Sequence, residues 1–373
     1  MNFKNAYIYT EDFRFVKGGF SVVDGKFAEV LTEHEDAVDL EGAYVIPGLI
    51  DVHNHGNSKA DFSDGSYEGD VRMARYLASV GVTSFAPATM TLPYETIAKA
   101  LEAGLRLHKA PVAGAARLLG VQMEGPFFSE KKKGAQNGAY LRNPDWEAFR
   151  HLYEISDGLI RIADLAPELP GAVAFTEKAS KLCTVSVAHT DASYEEARAV
   201  YAAGATHLTH LYNAMPGIHH RKPGVIGAAS ECEQVYAELI CDGQHVHPSA
   251  VRMAFCLFPE RICLISDALR CCGMPDGQYT LGGQDVFLKD GIARLEDGTI
   301  AGSAATLYQG MQNAVRFGIP RDEAIRSATI HPAMQLGCAD RVGSIAVGKQ
   351  ADFVICDAEL NRKEVWLRGE KCC

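Results

Sequence analysis

The sequence predicts an α/β protein: an eight-stranded (β/α) barrel carrying a small β-sandwich built from both chain ends. Three observations predict it. Between about residues 48 and 341, short β-branched runs alternate with segments of helical period, the pattern of βα units and a parallel sheet. Eight such units can be counted, the number that closes a barrel. Outside those bounds, 1–47 and 342–373 hold only short strand-like runs and turn signals, such as Val22-Val23-Asp24-Gly25 and Gly343-Ser344-Ile345, so the two ends are expected to form one small domain beside the barrel.

Taken in order, the barrel strands are expected at 45–52, 82–86, 117–123, 159–165, 184–188, 205–209, 236–241 and 262–266. Amphipathic stretches at 71–80, 95–107, 146–155 and 194–203 supply helices between them. Residues 271–302 interrupt the last unit with the turn signals Lys289-Asp290-Gly291 and Glu296-Asp297-Gly298, and read as an inserted β-hairpin. An open doubly wound sheet is the alternative. It would place a Gly-rich phosphate turn after its first strand, and none is there.

Composition agrees with one large domain and an appendage: 373 residues, 47% hydrophobic and 22% charged. A net charge of -11 without a long basic run excludes a nucleic-acid or anionic-membrane surface, so an anionic substrate must be met by local positive charge. The first residues carry scattered charges and no apolar signal segment, and no later run is long enough to span a bilayer. Eleven cysteines, an odd number in no disulfide spacing, point to reduced thiols and a cytoplasmic setting. Cys271-Cys272 and Cys372-Cys373 lack the gap of a zinc knuckle.

Barrel enzymes carry their reactive groups at the C-terminal ends of strands. The first expected strand ends Asp51-Val52-His53-Asn54-His55-Gly56, and in an extended chain residues i and i+2 face the same way, so both imidazoles can address one ion. The third ends in Glu124, the fifth in His189, the sixth in His210 and the eighth in Asp267. Each has an ordinary structural alternative: a hydrogen-bonded core histidine, or a carboxylate capping a helix. Together, six nitrogen and oxygen donors at one end of one barrel are explained by a single site for one or two divalent ions. A non-catalytic scaffold on the same fold would have lost such donors.

The string Pro47-Gly48-Leu49-Ile50-Asp51-Val52-His53-Asn54-His55-Gly56 resembles the opening of the amidohydrolase superfamily. Within it, Met123-Glu124-Gly125-Pro126-Phe127, His210-Leu211-Tyr212-Asn213-Ala214-Met215-Pro216 and Asp242-Gly243-Gln244-His245-Val246 resemble the N-acetylglucosamine-6-phosphate deacetylase family, and the likeness spans nearly the whole chain. The resemblance implies metal-dependent release of acetate from N-acetylglucosamine 6-phosphate; the galactosamine epimer or another N-acyl substrate are the alternatives. Strand four ends Ala163-Asp164-Leu165-Ala166-Pro167-Glu168, with no lysine to carboxylate, so Glu124 is expected to bridge the metals. Zinc is the expected ion, with iron, manganese and cobalt compatible with the same donors. A bound ion supplies hydroxide near neutral pH, and Asp267 serves as base and then acid.

The resemblance also assigns the substrate. Arg221 binds the phosphate, with His245 as its partner, and reaches the neighbouring active site of a homodimer; Asn213 and the backbone of Ala214 also hold substrate. The Gly302–Leu307 segment covers the sugar, with Leu307 among the contacts. Where the family places a histidine after Lys-Gly-Ala, this chain reads Lys133-Gly134-Ala135-Gln136, so Gln136 is expected to donate an amide N–H to the oxyanion. His207, three residues before His210, is an alternative ligand.

Overall fold

A computed structural model of the chain describes residues 1–373. The β-branched runs form parallel strands in chain order: Leu49–Asn54, Val82–Pro87 and Arg117–Leu118 in one sheet, then Val121–Met123, Ile160–Leu165, Thr184–Val187, His207–Leu208, Tyr236–Ile240 and Ile262–Ile265 in a second, curled sheet. The third expected strand is therefore one run broken at Leu119 and Gly120, where the Leu119 N–H turns to Phe85 O. Links that join the sheets include a parallel bridge between Ala88 and Gln122, and a 2.9 Å bond from Asp267 N–H to His53 O. Most of these strands are covered on both faces, which is why they read as apolar runs and not as alternations.

Helices between the strands supply the other half of the main core. The first, Tyr67–Ser79, starts a turn earlier than its apolar period suggests, because the Ser66 side chain caps it by accepting from Gly69 N–H. A separate apolar cluster fills the space inside the strands. It joins Ile50, Val52, Ala86, Leu119, Ile162, Ile240 and Ile265 to Ala333, Leu336, Cys338 and Val342. The helix Ile330–Gln335 lies across the N-terminal ends of the strands, held by Thr184 Oγ1–H to Gln335 O (2.9 Å) and His331 Nδ1–H to Ile262 O (2.8 Å).

The chain ends pair as their turn signals suggest. Asn2–Tyr9, Phe15–Val23, Lys26–Val30, Val38–Asp39 and Tyr44–Pro47 share one eight-stranded sheet with Phe353–Cys356, Arg362–Leu367 and Glu370–Lys371. The seam is the antiparallel pairing of Phe353 with Pro47 through Cys356 with Tyr44. Aromatic rings dominate its core: Phe3 stacks on Phe20 at 4.6 Å and Phe353 on Trp366 at 5.5 Å. The insertion is a three-stranded antiparallel sheet, Gly277–Leu281, Gln284–Lys289 and Ile292–Arg294, and not a simple hairpin. Asp290 and Gly291, at φ 52° and 76°, make the tight turn between its last two strands. All eleven cysteines are free thiols, and no helix is long and apolar enough to cross a membrane.

Candidate metal centre

The His-X-His pair ends the first parallel strand with both rings on one side, His53 fully buried and His55 nearly so. Glu124 follows Val121–Met123 and precedes Gly125, whose φ of 97° takes the chain sharply away; a Cβ at Gly125 would overlap Thr91 Oγ1. His189, His210 and Asp267 leave their strands at φ 43°, 33° and 49°. Non-glycine residues in that region are strained, and such strain persists where surrounding structure holds a functional geometry.

Glu124 is the hub. Its Oε1 lies 3.4 Å from His53 Nε2 and 3.3 Å from both His189 Nε2 and His210 Nε2, while Oε2 lies 3.2 Å from His55 Nε2. Asp267 Oδ1 is 3.4 Å from His55 Nε2 and 3.7 Å from His53 Nε2. Two overlapping donor groups result, His53/His55/Glu124 and Glu124/His189/His210, each with its ligand atoms within 4.8 Å of one another. The donors fit a divalent ion on two counts. His189, with its Nδ1–H given to Lys132 O, turns its Nε2 lone pair toward a Glu124 carboxylate oxygen 3.3 Å away and toward His210 Nε2 at 3.1 Å, a convergence of electron pairs that a cation would satisfy. On the far side of two rings an acceptor holds the other nitrogen, Glu238 Oε2 for His53 Nδ1 (2.8 Å) and Lys132 O for His189 Nδ1 (2.9 Å), which aims Nε2 inward.

The electrostatics show how tightly these groups act on one another: the carboxylates stay charged and the rings gain protons, which a bound ion would displace. Burial alone would raise the Glu124 carboxyl, yet the His53 charge and hydrogen bonds from His189, His210 and His53 outweigh it and leave it well below its usual range. Burial opposes charge on His55, but Asp267 and Glu124 overcome it and raise the imidazole to about 10. Asp267 is lowered in spite of its burial, by His55 and His53.

The cavity above, about 210 Å³, is lined by His55, Glu124, His189, His210 and Asp267 together with Gln136, Asn213, Ala214 and His245. Gln136 is buried; its Nε2–H donates to Glu124 Oε2 at 2.6 Å and its Oε1 accepts from Thr91 N–H at 2.7 Å. His245 Nδ1–H donates to Asp242 Oδ2 at 2.7 Å. Two expected residues lie apart. Arg221 sits on an exposed loop with its guanidinium on His220 Nε2 (2.6 Å), and the Leu307 side chain is fully buried in the main core. His207 belongs to neither donor group; its nitrogens face Glu238 Oε1 and Gln335 Oε1, both at 3.1 Å. The cysteine pairs contribute to neither group.

Sequence reasoning quoted Asp242 within a motif but gave it no role, and it missed Glu238, Thr91 and the apolar wall of Met90, Leu269, Leu281 and Ile300. For Glu238 a signal was present: an acidic residue inside Tyr236-Ala237-Glu238-Leu239-Ile240, an otherwise buried apolar strand.

Residues 44–371 match the amidohydrolase family. The chain belongs to that family. It is 39% identical over 338 residues to an N-acetylglucosamine-6-phosphate deacetylase of Vibrio furnissii, covering 90% of this chain and 84% of that one. It is 35% identical to an N-acetylgalactosamine-6-phosphate deacetylase of Escherichia coli O157:H7, over 94% of this chain and 93% of that one. Among solved structures, an N-acetyl-D-glucosamine-6-phosphate deacetylase from Mycobacterium smegmatis, a mutant in complex with N-acetyl-D-glucosamine-6-phosphate, superposes with a TM-score of 0.93 at 32% identity, covering 100% of this amidohydrolase and 99% of that chain. The resemblance read from the sequence motifs holds.

Proposed function

We propose that this amidohydrolase hydrolyses the acetamide of N-acetylglucosamine 6-phosphate to glucosamine 6-phosphate and acetate. The observation that carries the reading is the buried donor set around Glu124 at the floor of a polar cavity, in a chain alike over nearly its full length to deacetylases of that substrate. His53, His55, Glu124, His189 and His210, with Asp267 beside them, would hold one or two divalent ions, zinc first among the candidates. Such an ion, when bound, polarises the acetamide carbonyl and acidifies water. Asp267 takes the proton of the attacking water through its carboxylate and returns it to the leaving amine. Gln136 donates to the carbonyl oxygen; one of its two N–H groups is committed to Glu124, which leaves the second for substrate.

Asn213 and the backbone of Ala214 hold substrate, and His245, its Nδ1–H given to the Asp242 carboxylate, is read as the partner of the phosphate-binding arginine. Leu307, its side chain buried, bears on the substrate through its backbone N–H at the first position of helix Leu307–Arg316. Arg221 serves the phosphate of the partner active site in a homodimer; its exposure and lack of a carboxylate partner support that role. The two parallel sheets are read as arcs of one (β/α)8 barrel over residues 48–341, supported by the Ala88–Gln122 bridge and the Asp267–His53 bond. The terminal sheet, 1–47 with 342–373, is read as a small sandwich domain, and the enzyme as cytoplasmic.

The test is acetate release from N-acetylglucosamine 6-phosphate and from unphosphorylated N-acetylglucosamine, with chelated and zinc-reloaded enzyme. Activity restored by zinc and confined to the phosphorylated sugar is expected. Equal activity on both sugars would sink the phosphate reading, and a parallel assay on N-acetylgalactosamine 6-phosphate decides the epimer.

A further inference from the structure

Glu238 lies in the middle of the strand Tyr236–Ile240, with no exposed surface and no place in the cavity wall. An ionised carboxylate buried in a strand is costly unless its oxygens are filled. Both are. Oε2 accepts from His53 Nδ1–H at 2.8 Å and from the His210 backbone N–H at 3.1 Å; Oε1 accepts from His207 Nε2–H at 3.1 Å. The His53 ring is thereby committed: with its Nδ1 proton spent on Glu238, Nε2 keeps its lone pair toward Glu124 Oε1, 3.4 Å away.

The other rings are treated differently. His189 is held by the neutral main-chain carbonyl of Lys132, and the Nδ1 atoms of His55 and His210 have no hydrogen-bond partner. Among the four ligand rings, then, a carboxylate behind the site orients His53 alone, in the His53/His55/Glu124 group; its contact with His210, of the other group, is to the backbone N–H and leaves that ring's nitrogens untouched.

We propose that Glu238 is a positioning residue that sets the occupancy of one ion and leaves the other alone: it fixes the His53 tautomer and makes that ring a stronger donor. The inference rests on the metal reading of the preceding section. Glu238→Gln keeps the volume and removes the negative charge: its oxygen can still accept from His53 while its NH2 faces His207, so what the His53 ring loses is the carboxylate that makes it a stronger donor.

The experiment is zinc titration of chelator-stripped protein against a competing chromophoric chelator. Two equivalents are expected for the wild type; in Glu238→Gln one keeps its affinity and the other weakens roughly 10–100-fold. In a His53→Asn background, Glu238→Gln should add no further loss, because its route runs through that ring. As a readout on the unmutated protein, ¹⁵N spectra of the zinc-loaded wild type should show His53 protonated at Nδ1. An unchanged titration in Glu238→Gln, equal weakening of both equivalents, a full additional loss in the His53→Asn background, or a His53 ring protonated at Nε2 would each overturn the proposal. A wild type that takes up no zinc overturns the metal reading itself, whereas a wild type limited to one equivalent overturns only this inference.

Discussion

The two ends of the parallel strands are built to opposite rules. At the N-terminal ends, helix Ile330–Gln335 seals an interior of Ile50, Ala86, Ile162, Ile240 and Ile265, and the few polar groups there find neutral main-chain or amide partners. At the C-terminal ends, imidazoles and carboxylates are buried against one another, and His189, His210 and Asp267 among them hold left-handed backbone. One end is arranged for packing, the other for chemistry at a cost in strain and desolvation. Mutations should therefore separate stability from activity according to the end they touch.

Asp267→Asn should show the largest effect: kcat lower by roughly 10²–10⁴-fold in steady-state acetate assays with the melting temperature little changed. Retention of more than a tenth of kcat would remove Asp267 from its acid and base role. At the other end, Ile162→Ala opens a void in the sealed interior and should cost about 2–5 kcal/mol in denaturant melts. The kcat of its folded fraction should stay within a few-fold of wild type, and a selective collapse of kcat would blur the division proposed above.

The sealed end also has a pH response. Burial pushes the His331 imidazole down to about 4 from an ordinary value near 6.5. The unfolded chain thus binds a proton that the native state refuses between those values, so stability is full above about 6.5 and falls as pH drops toward 4, by roughly 3 kcal/mol in all. Urea melts across that window should show the loss, and His331→Gln should flatten it; an unflattened slope assigns the loss to other groups. Smallest is Gly302→Ala. Gly302 holds φ 49° with a would-be Cβ 2.8 Å from Asp267 O, so the change should cost about 1–3 kcal/mol and, unlike Ile162→Ala, also lower kcat. Loss of stability without loss of kcat would detach this loop from Asp267.

How much of this was legible follows from the same division. His53, His55, Glu124, His189, His210 and Asp267 could be read because each interrupts or ends an apolar run, and strand ends are where such runs stop. Glu238 and Asp242 act one bond behind the cavity, through rings that sequence reasoning had already placed, and spacing along the chain does not encode that contact. Leu307 reads as part of a covering loop, yet it opens a helix whose Leu307, Tyr308, Met311 and Ala314 form the buried face, which turns its side chain inward. The short strands of the two chain ends were legible from the turns between them, whereas their pairing along Phe353–Cys356 and the break at Leu119 and Gly120 depend on hydrogen bonding to a neighbouring strand.

The inserted three-stranded sheet closes over one side of the cavity around a core in which Val286, Leu288 and Ala293 meet Leu269, Met90 and Leu281. Its direct polar tie to the Lys133–Gln136 region is Gln284 Nε2–H to Ala135 O at 2.6 Å. Because that core is shared with Met90 and with Leu269, two residues beyond Asp267, the wall is not free to drift on its own: a change of volume at Leu281 or Val286 is passed through the packing to the backbone that carries Asp267.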